Sequence, residues 1–153
     1  MSVIITEMTL SDLEKIEDIL TTDFDDFWNK KVLEEELSSS SSKYIVAKSD
    51  NEIVGFAGLK IVLDEADIMN IVTRKNYRRQ GIGSLLLKNL IMLCENSGTK
   101  SIALEVNENN SNAIGLYLKF GFQHIGVRKN YYKNENAIIM KKNLLQEHNN
   151  SIL

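Results

Sequence analysis

The sequence predicts an α/β domain of α+β character, one mixed β-sheet covered by helices on its faces. Three observations carry this. Short runs rich in β-branched and apolar residues recur along the chain, bounded by polar turn clusters. Between them lie stretches whose apolar residues follow helical spacing. No period of about 20–50 residues repeats, so solenoids and propellers are excluded. At 153 residues the chain matches one compact domain, 1–153, with a polar tail from Gln146 that is expected to fray.

The elements follow in order. Val3-Ile4-Ile5 reads as a strand. Thr9 and Ser11 then stand before Asp12 and Glu14, a helix-start pattern ahead of Leu13, Ile16, Ile19 and Leu20. Phe24 to Leu37 reads as a second helical stretch, irregular at its start, and Ser38 to Ser42 as a polar loop. Tyr44–Ala47 and Ile53–Val62 form two strands joined by a turn at Ser49-Asp50-Asn51, a hairpin pattern. Asp67–Thr73 is a further strand. From Gly81 to Asn96, Ile82, Leu85, Leu86, Leu90, Leu93 and Cys94 mark one buried helix face, and Gly98 is placed to end that helix in a left-handed conformation. Ser101–Val106 is a strand, Asn112–Phe120 a short helix stopped at Gly121, and Phe122–Val127 and Ala137–Met140 are the last strands.

Composition excludes several classes of function. Eighteen basic and 21 acidic residues leave a net charge of −3. That offers no footprint for nucleic acid and no polybasic arm for an anionic membrane. One cysteine, Cys94, cannot make an internal disulfide, and with two histidines it cannot build a zinc site of ordinary spacing. No metal is expected. Cys94 falls on the apolar stripe of the long helix and reads as core. No apolar run approaches the ~20 residues of a membrane span, and the N-terminus lacks the pattern of a signal peptide. The expected location is the cytoplasm. The sixteen asparagines and the absence of proline read as compositional habit without functional weight. Asp23, Asp25 and Asp26, with Glu34 to Glu36, read as solvated faces, and His124 and His148 as surface or satisfied residues.

The most informative segment is Arg78-Arg79-Gln80-Gly81-Ile82-Gly83, set between a strand and the long helix. A helix start offers unpaired N–H groups and the positive end of a dipole, a seat for a pyrophosphate. Glycines let backbone approach phosphate oxygens where a Cβ would intrude, and the two arginines add charge. A Rossmann fingerprint would need a small residue where Leu86 stands, and a P-loop would need Gly-Lys-Ser/Thr, which is absent.

Arg79-Gln80-Gly81-Ile82-Gly83 resembles the (R/Q)xxGx(G/A) acetyl-CoA motif of the GCN5-related N-acetyltransferases, the GNAT family. The resemblance runs from about Leu59 to Met140. It passes through Leu63-Asp64-Glu65-Ala66, Asn70-Ile71-Val72, Leu104-Glu105-Val106, Asn110, Ala113-Ile114 and Leu116-Tyr117. It continues in Gly121-Phe122, Arg128-Lys129-Asn130-Tyr131-Tyr132 and Ala137-Ile138-Ile139-Met140. Within the family, the set is similar to the bacterial branch that acetylates the N-terminal alanine of a small-subunit ribosomal protein.

The resemblance implies a sheet whose two central parallel strands, here Asp67–Thr73 and Ser101–Val106, splay apart to admit acetyl-CoA. It implies that Ile71, Val72 and Thr73 offer backbone groups to the pantetheine arm. Arg78, Arg79, Gln80, Gly81, Ile82, Gly83 and Ser84 would hold the pyrophosphate, and Asn110 would bond the arm further along. Tyr131 and Tyr132, read as following a strand, and Trp28 would touch the first residues of a bound peptide. Two departures stand out: Asp26-Phe27-Trp28 lacks the proline of the branch's Phe-Pro-Trp, and Asn107 stands where the branch has Arg in Glu-Val-Arg.

An amine attacks a thioester only when neutral, and the departing thiolate is helped by a proton, so the site needs a base and an acid. Glu105 lies in a strand with apolar neighbours, where burial favours proton uptake. Tyr117 lies twelve residues on, about one turn past a helix start, placed to donate a proton. The resemblance implies these same roles. An α-amino group titrates at about 7.7–8.0 and lysine at about 10.4, a difference worth about 3.5 kcal/mol of deprotonation. That favours an N-terminal amine over lysine. The expected activity is acetyl transfer to the N-terminus of a ribosomal protein by a monomer or weak dimer. The alternatives are a GNAT enzyme acting on a lysine or a small amine, and a non-catalytic acyl-CoA-binding domain that would lack the base or the acid.

Overall fold

A computed structural model of the chain describes residues 2–24 and 29–144. Trp28, Asp25, Asp26 and the tail from Gln146 lie outside the described residues. Seven strands form one open mixed sheet: β1 (Ile4–Glu7), β2 (Ser42–Ser49), β3 (Glu52–Val62), β4 (Glu65–Thr73), β5 (Ser101–Asn107), β6 (Gln123–Tyr132) and β7 (Glu135–Asn143). Their order in the sheet is β1-β2-β3-β4-β5-β7-β6. The helices are α1 (Leu10–Ile16), α2 (Leu20–Asp23), α3 (Lys30–Ser38), α4 (Ile82–Asn96) and α5 (Ser111–Lys119). Contacts divide the chain into two compact units, Met1–Ile61 with Met69–Leu90, and Val62–Ile68 with Ile91–Leu153.

In the first unit, β1–β2 and β2–β3 are antiparallel. The turn predicted around Asp50-Asn51 closes β2 on β3 with both residues at positive φ, 51° and 68°, the geometry that Asp and Asn tolerate best. One face of this sheet and the N-terminal helices bury Leu13, Ile16, Leu20, Phe24, Leu33, Val46, Phe56 and Val72. Each such side chain contributes about 1.5–3 kcal/mol by leaving water. The Phe24 and Phe56 rings sit 5.6 Å apart, tilted by 47°.

The start of α1 is fixed by the pattern seen in the sequence. The Asp12 N–H donates to Thr9 Oγ1 at 3.1 Å and the Thr9 N–H donates to Asp12 Oδ2 at 2.9 Å, a complete capping box. Asp12 is only 3% exposed, and its other oxygen takes Lys48 Nζ at 3.0 Å. Burial alone would push this carboxyl up. The Thr9 backbone N–H, Lys48 and the Thr9 hydroxyl outweigh it and hold the group below its ordinary range. A carboxyl lowered in the folded state stabilises the fold above its unfolded pKa and stops doing so as pH falls through the folded value. Asp12→Ala is therefore expected to cost about 2 kcal/mol at neutral pH, from the lost cap and the stranded Lys48. In urea melts the gap between wild type and variant should shrink below about pH 4. A gap constant down to pH 2.5 would contradict the account.

In the second unit, Glu65, Ala66 and Asp67 of β4 lie parallel to and opposite Ser101, Ile102 and Ala103 of β5. Both strands run on well past this ladder. Antiparallel β7 pairs with β5 on one side and with β6 on the other. Ile102, Leu104 and Val106 on one face of β5 are buried, with Met140 opposite Leu104; Phe122 and, on the other face, Ala137 are buried too. Gly98 and Gly121 stand at positive φ after α4 and α5. Cys94 is fully buried, and burial pushes its thiol up to about 11, which suits the core role read from the sequence and not nucleophilic work. Among the described residues no helix is long and apolar enough to cross a membrane.

Several elements differ in extent from expectation: α3 starts only at Lys30, β4 starts at Glu65, and the last two strands are longer than Phe122–Val127 and Ala137–Met140. Tyr131 and Tyr132 do not follow a strand; they are its last residues, because β6 extends to Tyr132, which pairs with Glu135. The connection is only Lys133-Asn134, with Lys133 at φ 55°, and so short a turn keeps the two strands paired almost to their tips.

Candidate active site

The first unit carries the cofactor segments. Thr73 ends β4, and the next residue, Arg74, anchors that end. Its guanidinium bonds Glu52 at 2.5 Å and Asp23 at 2.9 Å and lies 5.9 Å from the centre of the Phe24 ring. Val72 is buried at 6% exposure; Ile71 and Thr73 are half-buried. After a 3-10 turn at Lys75–Tyr77 the chain passes Arg78 in extended geometry, then Arg79 at φ 64° and Gly81 at φ 82°. Among the described residues no atom lies within 4 Å of where a Gly81 Cβ would be, so this glycine serves backbone conformation and open approach. The first helical bond closes from the Leu85 N–H to the Gly81 carbonyl at 3.0 Å. That leaves the N–H groups of Ile82, Gly83 and Ser84 in the helix's first turn, without intrahelical acceptors.

Arg78, Arg79, Gln80 and Gly81 are exposed, whereas the Ile82 side chain is core at 2% exposure. What pins α4 here is Gly55 on β3. A Cβ there would stand 2.9 Å from the Val72 carbonyl oxygen and 3.0 Å from Ile82, so only glycine lets the helix start lie this close to the strand. An anionic group fits this loop: the first-turn N–H groups of α4 and the positive end of its dipole follow directly on two exposed arginines.

The second unit carries the candidate chemistry. Glu105 lies on the β5 face opposite Leu104 and Val106, with its side chain 26% exposed. One oxygen, Oε1, accepts from Arg128 Nη2 at 2.6 Å; the other, Oε2, is buried and has no hydrogen-bond partner among the described residues. Asp67, opposite Ala103 two residues before Glu105, has its carboxyl pushed above the usual range by desolvation first, then by Glu65 and Glu105. Tyr117 lies nearly two turns into α5, further than the expected single turn, and is half-buried, its ring edge-on to Phe122 with centroids 5.7 Å apart. Asn110 is the N-cap of α5, its Oδ1 accepting from the Ala113 N–H at 3.2 Å, so the group it can offer a ligand is its amide Nδ2. Tyr131 is 48% exposed, with the Arg128 guanidinium 5.4 Å from its ring centre.

The sequence reading missed two features. Arg128 as the partner of Glu105 is one. The other is what the asparagines do. Asn109 accepts a place against Asn107, its N–H donating to Asn107 Oδ1 at 2.8 Å, while its Nδ2 donates to Glu135. The Asn136 N–H donates to Glu108 Oε2 at 2.7 Å, and the Asn130 N–H donates to Asn136 Oδ1 at 3.0 Å. The loop after β5 is thereby laced to the β6–β7 turn, so these asparagines carry structural weight beside Glu105. Runs of asparagine at Asn107, Asn109 and Asn110, and at Asn134 and Asn136, were the available signal, since such side chains bond local backbone in turns. Among the described residues no cluster of three or more potential ligands could hold a metal.

The family model for GNAT acetyltransferases matches residues 13–122. The chain belongs to the GNAT acetyltransferase family. A Bacillus subtilis protein, provisionally named a ribosomal protein bS18-alanine N-acetyltransferase, is 36% identical over 139 residues, 89% of this chain and 92% of its own. The Haemophilus influenzae ribosomal protein bS18-alanine N-acetyltransferase is 40% identical over 110 residues, covering 67% of this chain and 75% of its own. The crystal structure of the Escherichia coli ribosomal-protein-S18-alanine N-acetyltransferase superposes with a TM-score of 0.86 at 31% identity, over 95% of this chain and 97% of that one. This GNAT chain is thus an acetyltransferase, with the mixed sheet its sequence predicts.

Proposed function

We propose that this enzyme transfers the acetyl group of acetyl-CoA to the α-amine of the N-terminal alanine of a small-subunit ribosomal protein, the counterpart of bS18, acting as a monomer or weak dimer. The relatives' named activity supports the substrate. The chemistry rests on one observation: a strand carboxylate, Glu105, with one oxygen held by Arg128 and the other buried without a partner among the described residues. A buried acceptor left bare is costly unless a bound group completes it, and an amine or its water is such a group.

Acetyl-CoA, when bound, supplies the acetyl group as an activated thioester. Arg78, Arg79 and Gln80 with the N–H groups of Gly81, Ile82, Gly83 and Ser84 hold its pyrophosphate. Ile71, Val72 and Thr73 offer backbone groups to its arm, and Asn110 its amide. Glu105 Oε2 takes the proton the α-ammonium must lose, directly or through a water, and Tyr117 gives its phenolic proton to the departing sulfur. Trp28, Tyr131 and Tyr132 meet the first residues of the peptide.

Removing the base should matter most where the amine is chiefly protonated. For an α-amine the crossover falls around pH 8. Glu105→Gln is expected to be badly impaired at about pH 6.5–7 and to recover part of its rate by about pH 9 on an alanine-starting peptide. The measurement is the wild-type to variant ratio of kcat/KM across that range. A ratio flat with pH would mean that Glu105 only positions the substrate.

A further inference from the structure

Arg128 has no part in the reaction as written above, yet the sheet brings it to the base from two strands away. Opposite residues in a sheet share a face, and so do residues two apart on a strand. Glu105 lies opposite Ile139 on β7, and Ala137, two residues before Ile139, lies opposite both Asn107 on β5 and Arg128 on β6. Glu105, Ala137 and Arg128 therefore share one face, and the arginine side chain must cross β7 to reach the carboxylate. Ala137, fully buried, presents only a methyl group at that crossing. The guanidinium ends 2.6 Å from Glu105 Oε1 and 5.4 Å from the centre of the Tyr131 ring. It is thus fixed at both ends, between the carboxylate and an exposed aromatic.

Stability gives little reason for this pair. The Arg128 side chain is 56% exposed, and ion pairs at that exposure contribute little to folding. What the pair does achieve is asymmetry. A free strand carboxylate can rotate and present either oxygen; this one has Oε1 committed and Oε2 buried and, among the described residues, unpartnered.

We propose that Arg128 is a positioning residue for the reaction: by holding Oε1 of Glu105 it keeps Oε2 as the one oxygen that receives the proton from the substrate amine. The inference rests on Glu105 being the base. Arg128 touches neither the amine nor the acetyl group; it acts through the carboxylate. Misplacing a reacting group by about 1 Å can cost about a hundredfold in rate, so losing the clamp should reduce turnover and leave cofactor affinity alone.

The test is a double-mutant cycle on the full chain, with kcat and KM measured for wild type, Arg128→Met, Arg128→Lys, Glu105→Gln and the Glu105→Gln/Arg128→Met double variant at pH 7. Arg128→Met should lower kcat about ten- to a hundredfold while KM for acetyl-CoA and the melting temperature stay near wild type. Arg128→Lys, which keeps a donor without the planar fork, should recover part of the loss. In the Glu105→Gln background, Arg128→Met should change kcat by less than about twofold, because coupled residues are non-additive. An equal loss in both backgrounds would overturn the proposal, showing that Arg128 acts independently of Glu105; so would wild-type kcat in Arg128→Met. A fully active Glu105→Gln variant would instead remove the base assignment itself, and the role of Arg128 with it. The two failures are therefore read from different variants.

Discussion

Gly83→Glu is expected to abolish acetyl-CoA binding in a protein that still folds. Gly83 lies in the first turn of α4, a 15-residue helix whose leading N–H groups have no intrahelical acceptor. A carboxylate at such a position suits the helix itself, since its charge meets the positive end of the dipole. The fold should therefore tolerate the change. The same carboxylate would compete with the pyrophosphate for those N–H groups and repel it in the loop formed by Arg78, Arg79 and Gln80. Calorimetric titration should show Kd raised at least about a hundredfold, the loss of roughly 2.7 kcal/mol. An unchanged Kd in a folded variant would remove the phosphate-loop assignment.

Tyr117→Phe should lower turnover by about 10²–10⁴-fold, the usual contribution of a positioned acid, with acetyl-CoA affinity within a few-fold of wild type. The substitution keeps the ring, and so its edge-on contact with Phe122 at 5.7 Å, and removes only the hydroxyl. Steady-state kinetics with a saturating alanine-starting peptide reads the effect. Wild-type kcat would make Tyr117 a packing residue and leave the departing thiolate without a donor from this chain.

How far the sequence could be read depended on how local the determinant was. The α1 capping box joins Thr9 to Asp12, three residues apart, and was legible. So were the apolar stripe of α4 and its stop at Gly98, whose determinants lie within a few residues of one another. The Glu105–Arg128 pair was not. It depends on β7 lying between β5 and β6, an order that puts residues 23 apart in sequence on one face across an intervening strand. No local pattern encodes that register. The strand ending at Tyr132 was also hidden, because its length is set by the short Lys133-Asn134 turn and not by apolar alternation, which fades after Val127. The asparagines misled for a third reason: a composition spread over the whole chain conceals the few whose side chains tie the loop at Asn109 to the turn at Asn136.

The central claim is that this GNAT enzyme acetylates an N-terminal α-amine. It is tested most directly by incubating the enzyme with acetyl-CoA and two peptides of matched sequence. One begins with a free alanine and has no lysine; the other has a blocked N-terminus and one internal lysine. Mass spectrometry at pH 7 locates the added acetyl group. The account predicts acetylation of the alanine α-amine, with the lysine peptide modified at least about a hundredfold more slowly, in line with the gap in amine protonation. Equal rates on the two peptides, or acetylation confined to the lysine, would contradict it.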